Sequence, residues 1–183
     1  KKPDQPANIF ILKKYCELLR SKNIIIINYN FLLKLLDFCN FYFSKKYFSL
    51  PLGIERKYFD IYKNKKKIFN LNSSEIEKGY RIINKFGLNK KSRWVCIHNR
   101  DNYFLKKTQK GNYSYHDYRD FSINDFEKAL KLLVKKGFFV FRIGKYSNQK
   151  LKFAKKNKYV IDLPNHELRS DFLETFLINN CSF

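Results

Sequence analysis

From Arg93 onward the chain alternates strand-length apolar runs with helix-length amphipathic ones, and this restricts its fold more than any other feature. Residues 94–97 are apolar and stop abruptly at His98, Asn99, Arg100 and Asp101. Residues 138–143 are apolar except for Arg142, and residues 159–161 end at Asp162. Runs this short, bounded by turn residues, predict buried strands. Between them, Ser122 and Asp125 precede a stripe of Phe126, Ala129, Leu130, Leu133 and Val134 that Gly137 closes, which predicts a helix. Residues 147–156 predict a short, very basic helix. Residues 167–178 predict another, with Leu168, Phe172, Leu173, Phe176 and Leu177 inward, and residues 181–183 open a further strand. Strands alternating with helices imply an α/β fold with a parallel, Rossmann-like sheet.

The first half alternates less cleanly. Asn8 caps a predicted helix over residues 8–20 with Ile9, Leu12, Cys16 and Leu19 on one side. A strand at 24–27, a helix at 31–43, a turn at Pro51 and a solvated lysine run at 63–67 follow. Ser74 and Glu77 have capping-box spacing, and Gly87 suits the residue that closes the helix after them. Two α/β domains fit this pattern: an incomplete one over residues 1–88 and a Rossmann-like one over 89–183. No Met opens the chain, and its last three residues read as the start of a strand, so a fragment of a longer protein is expected.

The formal net charge is +22, but the lysines are spread along the whole chain among Asn, Ile, Phe and Tyr. That mixture is what AT-rich codon usage produces, so nucleic acid is not the expected partner. The field still favours an anionic ligand such as a nucleotide diphosphate, or an anionic membrane surface. Cys16, Cys39, Cys96 and Cys181 show no zinc-ligand spacing, and free thiols suit a reducing, cytoplasmic compartment. The longest apolar stretch, 31–43, is broken by Lys34 and Asp37 and is too short to span a bilayer. There is no G-x-G-x-x-G after a strand, no Walker loop and no G-x-S-x-G elbow, which counts against NAD enzymes, P-loop enzymes and α/β-hydrolases.

Ligands of open α/β sheets bind beyond the carboxyl ends of strands. His98, Arg100 and Asp101 stand at such an end, and residues 98–121 show no apolar period, as expected of a binding loop. Arg100 can fork two phosphate oxygens or pair with Asp101. His98 can serve as donor or general base, or bond to loop backbone. Asp101 can orient Arg100, accept from a sugar, or form a turn. His116, Asp117, Tyr118 and Arg119 put four polar groups in one turn that can contact substrate. A buried Arg142 needs a partner, either a carboxylate such as Asp162 or a ligand anion. Asp162 is a strand-end acid or a turn residue. Arg169, Ser170 and Asp171 can receive a phosphate or cap the last helix.

Residues 95–101, Val-Cys-Ile-His-Asn-Arg-Asp, resemble the strand-end H-x-R motif of fucosyltransferase-like enzymes with the GT-B fold. A bacterial glycosyltransferase family is similar over a longer ordered set: residues 116–119, the helix to Gly137, 141–144, 161–162 and 169–172. The resemblance covers residues 93–183. It implies a GT-B-type donor domain preceded by part of an acceptor domain, and a metal-independent enzyme with no cofactor beyond its nucleotide-sugar substrate. The acceptor would be a surface polysaccharide or a lipid-linked saccharide, met in the cytoplasm at the inner face of the membrane. It implies that Arg100 contacts the donor diphosphate; Arg142 or Arg119 is the candidate to assist it there. His98, His116 and Asp117 are the candidate bases, and Asp101, Tyr118 and Asp162 the candidate substrate contacts. A basic nucleic-acid-binding domain is the alternative.

Overall fold

The computed structural model describes residues 8–23, 70–108 and 114–182. The strand expected at 24–27, the helix at 31–43, the Pro51 turn, Cys39 and the lysine run lie outside these. The chain divides into two compact units, Lys1–Lys13 with Leu71–Phe183, and Lys14–Asn70. Helix α1 (Ile9–Ser21) runs across the division, and Asn8 caps it by accepting from the Ile11 N–H at 2.9 Å. In the second unit, the described residues show a Lys14–Glu17 ion pair at 3.7 Å and Ser21 donating to the Leu18 carbonyl at 2.8 Å.

The first unit is α/β, built on a small open parallel sheet of three strands: β1 (Trp94–Ile97), β2 (Phe139–Arg142) and β3 (Val160–Asp162), ordered β1-β2-β3. Trp94 pairs with Phe139 and Ile97 with Arg142, while Val140 pairs with Val160 and Arg142 with Asp162. Side chains alternate across the sheet, as the period of a strand requires. Trp94, Phe141 and Ile161 face one side, where helices α2 (Ser73–Asn84) and α5 (Asp171–Asn180) bring Ile83, Leu173, Phe176 and Leu177. Val95, Val140 and Val160 face the other and meet Leu130 of helix α4 (Glu127–Lys135), with Ile123 and Leu151. Burying each such Leu, Ile or Phe contributes about 1.5–3 kcal/mol.

Several boundaries differ from those read in the sequence. The capping box of α2 uses Asn72 and Glu75, two residues before Ser74 and Glu77, and this phase leaves Leu71 buried in the core. Leu71, Ile83 and Leu88, from the N-terminal side of the expected division, pack in the same cluster as Trp94 and Phe141. Residues 98–121 hold a short helix α3 (Tyr103–Thr108) and a 3-10 turn (Ser114–Arg119). The basic segment 147–156 forms only a 3-10 turn (Lys152–Lys156), and α5 starts at Asp171 because Ser170 caps it, accepting from the Leu173 N–H at 3.1 Å. Gly87 and Gly137 close their helices with positive φ, +82° and +80°.

Cys96 and Cys181 are free, half-buried and packed against the first core cluster. Burial, then the neighbouring Cys181, pushes the Cys96 thiol up to about 12, so it stays protonated and behaves as a small apolar group. Among the described residues no helix is long and apolar enough to cross a membrane.

Gly79 provides a test of the packing. A Cβ there would overlap the Phe176 ring, which is fully buried and stacks on Trp94 at 6.2 Å and on Phe172 at 6.4 Å. Gly→Ala within a helix ordinarily gains up to about 1 kcal/mol, but overpacking a rigid core typically costs about 1–3 kcal/mol or more. Gly79→Ala is therefore expected to destabilise by about 2 kcal/mol, lowering Tm by roughly 4–8 °C. A raised Tm would show that the α2–α5 contact is looser than described.

Candidate functional site at the ends of the first two strands

β1 and β2 end level with each other, and the chain leaves them in two loops, 98–102 and 143–151. A cavity of about 450 Å³ opens there, lined by His98, Asn99, Arg100 and Asp101 from the first loop, Phe104 and Leu105 from α3, and Ile143, Gly144, Lys145 and Tyr146 from the second. Asn8 and Glu174 complete the wall. Gly144 makes the turn out of β2 at φ +145°, which few L residues adopt, and its N–H donates to Glu174 Oε1 at 2.8 Å. Glu174 is buried within α5, and Arg169 Nη2 donates to its Oε2 at 2.8 Å. Phe104 and Tyr146 stack at 6.1 Å, giving the cavity an aromatic side.

The two strand-end arginines differ in what they touch. Arg142 is 1% exposed, and all five of its N–H donors meet protein acceptors. Nε and Nη2 both donate to Asn99 Oδ1, at 3.1 and 2.9 Å, and Nη2 also donates to Ser147 Oγ at 2.6 Å. Nη1 donates to the Gln149 carbonyl at 2.8 Å and to Asp162 Oδ1 at 3.0 Å. Of the two partners the sequence leaves open for Arg142, the structure shows the carboxylate, and Arg142 does not line the cavity. Asp162 is equally occupied, since its Oδ2 accepts from the Leu151 N–H at 3.0 Å and from Asn165 Nδ2 at 2.8 Å. It secures loop 143–151 and lies outside the cavity lining.

Arg100 is held more lightly. Its Nε lies 3.5 Å from Asp120 Oδ1, and the side chain keeps 27% of its exposure. Among the described residues Asp120 is its only side-chain partner, rather than the Asp101 that the sequence offers as the alternative to a phosphate. Asp101 lines the cavity, but its Oδ1 accepts from the Tyr103 N–H at 3.1 Å, starting α3, and its Oδ2 accepts from Ser147 Oγ at 2.5 Å. The turn role and the position in the wall therefore coexist. His98 Nδ1 lies 3.1 Å from the Ile143 carbonyl. A carbonyl only accepts, so Nδ1 is the donor in this contact, and Nε2 is the ring nitrogen left for another partner.

The Ser114–Arg119 turn stands apart from the cavity wall. Asp117 Oδ1 accepts from Asn102 Nδ2 at 3.2 Å. The Tyr118 hydroxyl accepts from Arg119 Nε at 2.9 Å, and the Arg119 guanidinium lies 5.1 Å over the Tyr118 ring. Tyr118 is 79% exposed. His116 belongs to this turn, and its side chain lies outside the described residues. Of the expected site residues the cavity thus gathers His98, Arg100 and Asp101, and Asp117, Tyr118, Arg119, Arg142 and Asp162 are absent from its lining.

Sequence reasoning missed Glu174, Lys145, Tyr146, Phe104 and Leu105. Two signals were available. Glu174 is an acid inside the apolar run 172–177, and Lys145 and Tyr146 follow the end of β2 as Arg100 follows the end of β1. Comparison with protein-family models, curated proteins and solved structures returns no match for this chain.

Proposed function

We propose that this unit is the donor-binding part of a metal-independent, GT-B-type glycosyltransferase. The enzyme transfers a sugar from a nucleotide-sugar donor to a surface-polysaccharide or related acceptor. The observation that carries the reading is Arg100: a permanent cation at the carboxyl end of β1, in the cavity wall, whose four Nη hydrogens have no partner among the described residues. Lys145 adds a second positive charge to the wall, and Phe104, Leu105 and Tyr146 give an apolar surface for a base or sugar ring.

In the reaction, the bond from the sugar C1 to the diphosphate oxygen breaks as the acceptor oxygen bonds to C1. Negative charge develops on the leaving diphosphate, so a fixed cation stabilises the transition state more than the ground state. His98 Nε2 is the acceptor that takes the proton of the attacking hydroxyl. On this reading the enzyme works in the cytoplasm, and its basic charge favours the inner face of the membrane.

Nucleoside diphosphates titrated beside an oligonucleotide at several salt concentrations test the reading. Tyr115 and Tyr118, 65% and 79% exposed, suit base stacking and keep nucleic acid as the second reading. Saturable diphosphate binding with product from a radiolabelled donor supports the transferase. Tight, steeply salt-dependent oligonucleotide binding without diphosphate binding supports the alternative. Transfer is expected to persist in EDTA, because side-chain cations neutralise the leaving group. Loss on chelation that manganese restores would show that a metal carries that charge.

A further inference from the structure

We infer that Ser147 is a positioning residue: its hydroxyl clasps the two cavity loops together and so sets the distance between the cations each loop carries. The inference rests on the anion-binding reading above. Asp101 adjoins Arg100 in the first loop, and Ser147 lies two residues beyond Lys145 in the second. The Ser147 hydroxyl has one proton, and it goes to Asp101 Oδ2 at 2.5 Å rather than to the Gln149 carbonyl at 3.3 Å. Its oxygen accepts from Arg142 Nη2 at 2.6 Å and from the Gln149 N–H at 3.1 Å. One small side chain therefore joins the first loop, the second loop and the buried guanidinium beneath them. Direct contact between Arg142 and Asp101 is long, 3.9 Å, so the hydroxyl is the shorter link between cation and carboxylate. Without it, Asp101 retains the Tyr103 N–H but loses its tie to loop 143–151, and Arg100 and Lys145 no longer share one frame.

The experiment compares the wild-type chain with Ser147→Ala and Ser147→Thr, using inorganic pyrophosphate as the probe at a temperature where all three are folded. Ser147→Ala should weaken pyrophosphate binding on the order of tenfold, the equivalent of one hydrogen bond to a charged group. Ser147→Thr, which keeps the hydroxyl, should restore most of it. Amide hydrogen exchange without ligand should quicken in peptides covering 98–105 and 143–149 of Ser147→Ala, and stay unchanged in those covering β1 and α5. Uniformly faster exchange would mean that the hydroxyl merely stabilises the fold, which overturns the inference. So would unchanged affinity with unchanged exchange. If the wild-type chain itself ignores pyrophosphate, the donor-site reading fails, and the exchange pattern alone then decides whether the clasp exists.

Discussion

Arg142→Ala is expected to leave the protein unfolded or barely folded. Removing one partner of a buried ion pair costs about 3–5 kcal/mol, against a total stability of about 5–15 kcal/mol for a domain. Here the loss is compounded. Asn99 is 4% exposed, and its Oδ1 would lose both its donors. Asp162 would keep its charge while losing the guanidinium at 3.0 Å. Arg142→Met fills the space but leaves the same carboxylate unpaired, so it should recover only part of the loss. Arg142→Met with Asp162→Asn removes both charges and should lie closest to wild type among the variants, because replacing both partners of a buried pair is often tolerated. Urea unfolding midpoints give the ranking. A single Arg142→Ala variant within about 0.5 kcal/mol of wild type, the range of an ordinary surface site, would refute the buried network.

On the transferase reading proposed above, Arg100→Ala is expected to do the reverse, sparing the fold and removing the activity. The side chain is more than a quarter exposed and its one ion pair is loose, so stability should change by no more than about 1 kcal/mol. Loss of one preorganised donor to a developing oxyanion typically costs about 3–4 kcal/mol, roughly a hundred- to a thousand-fold in rate. Arg100→Lys should recover part, since lysine keeps the charge and loses the fork. Turnover and nucleoside-diphosphate affinity for both variants, each with a melting curve, provide the check. A folded Arg100→Ala protein with normal affinity would put the donor site elsewhere.

The contrast between these arginines shows where sequence reasoning stops. The three strands of the sheet were legible because continuous apolar runs can only be buried, and each matches its expected span to within one residue at either end, whereas the strand expected to open at 181 is not formed at residues 181–182. The helix over 103–108 was not, since six residues give too little period to stand out. Asn72 with Glu75 and Ser74 with Glu77 present the same cap spacing in one stretch, and only the burial of Leu71 separates them. Whether Arg142 faces a ligand or a carboxylate depends on register. Once β2 and β3 are set in parallel with Arg142 opposite Asp162, the answer follows. Glu174 reaches the cavity, and Ser147 reaches Asp101, across long stretches of sequence, and no local pattern announces such a meeting.

One hydrogen bond carries a consequence for how the cavity arises. Phe139 N–H donates to the Arg93 carbonyl and Ile143 N–H to the Ile97 carbonyl, so the odd-numbered carbonyls of β1 point toward β2. The Ser182 N–H donates at 2.9 Å to the carbonyl of Trp94, which points the other way. The chain that leaves β1 through α4 to one side thus returns through α5 to the opposite edge. Ser182 therefore lies on the side of β1 away from β2, so the carboxyl end of β1 is flanked by chain on both sides. The cavity is walled accordingly from two directions, by loop 143–151 after β2 and by Glu174 of α5. On the donor-site reading proposed above, ligand preference would be retuned by exchanging residues in the loops of this wall while the sheet beneath them stays as it is.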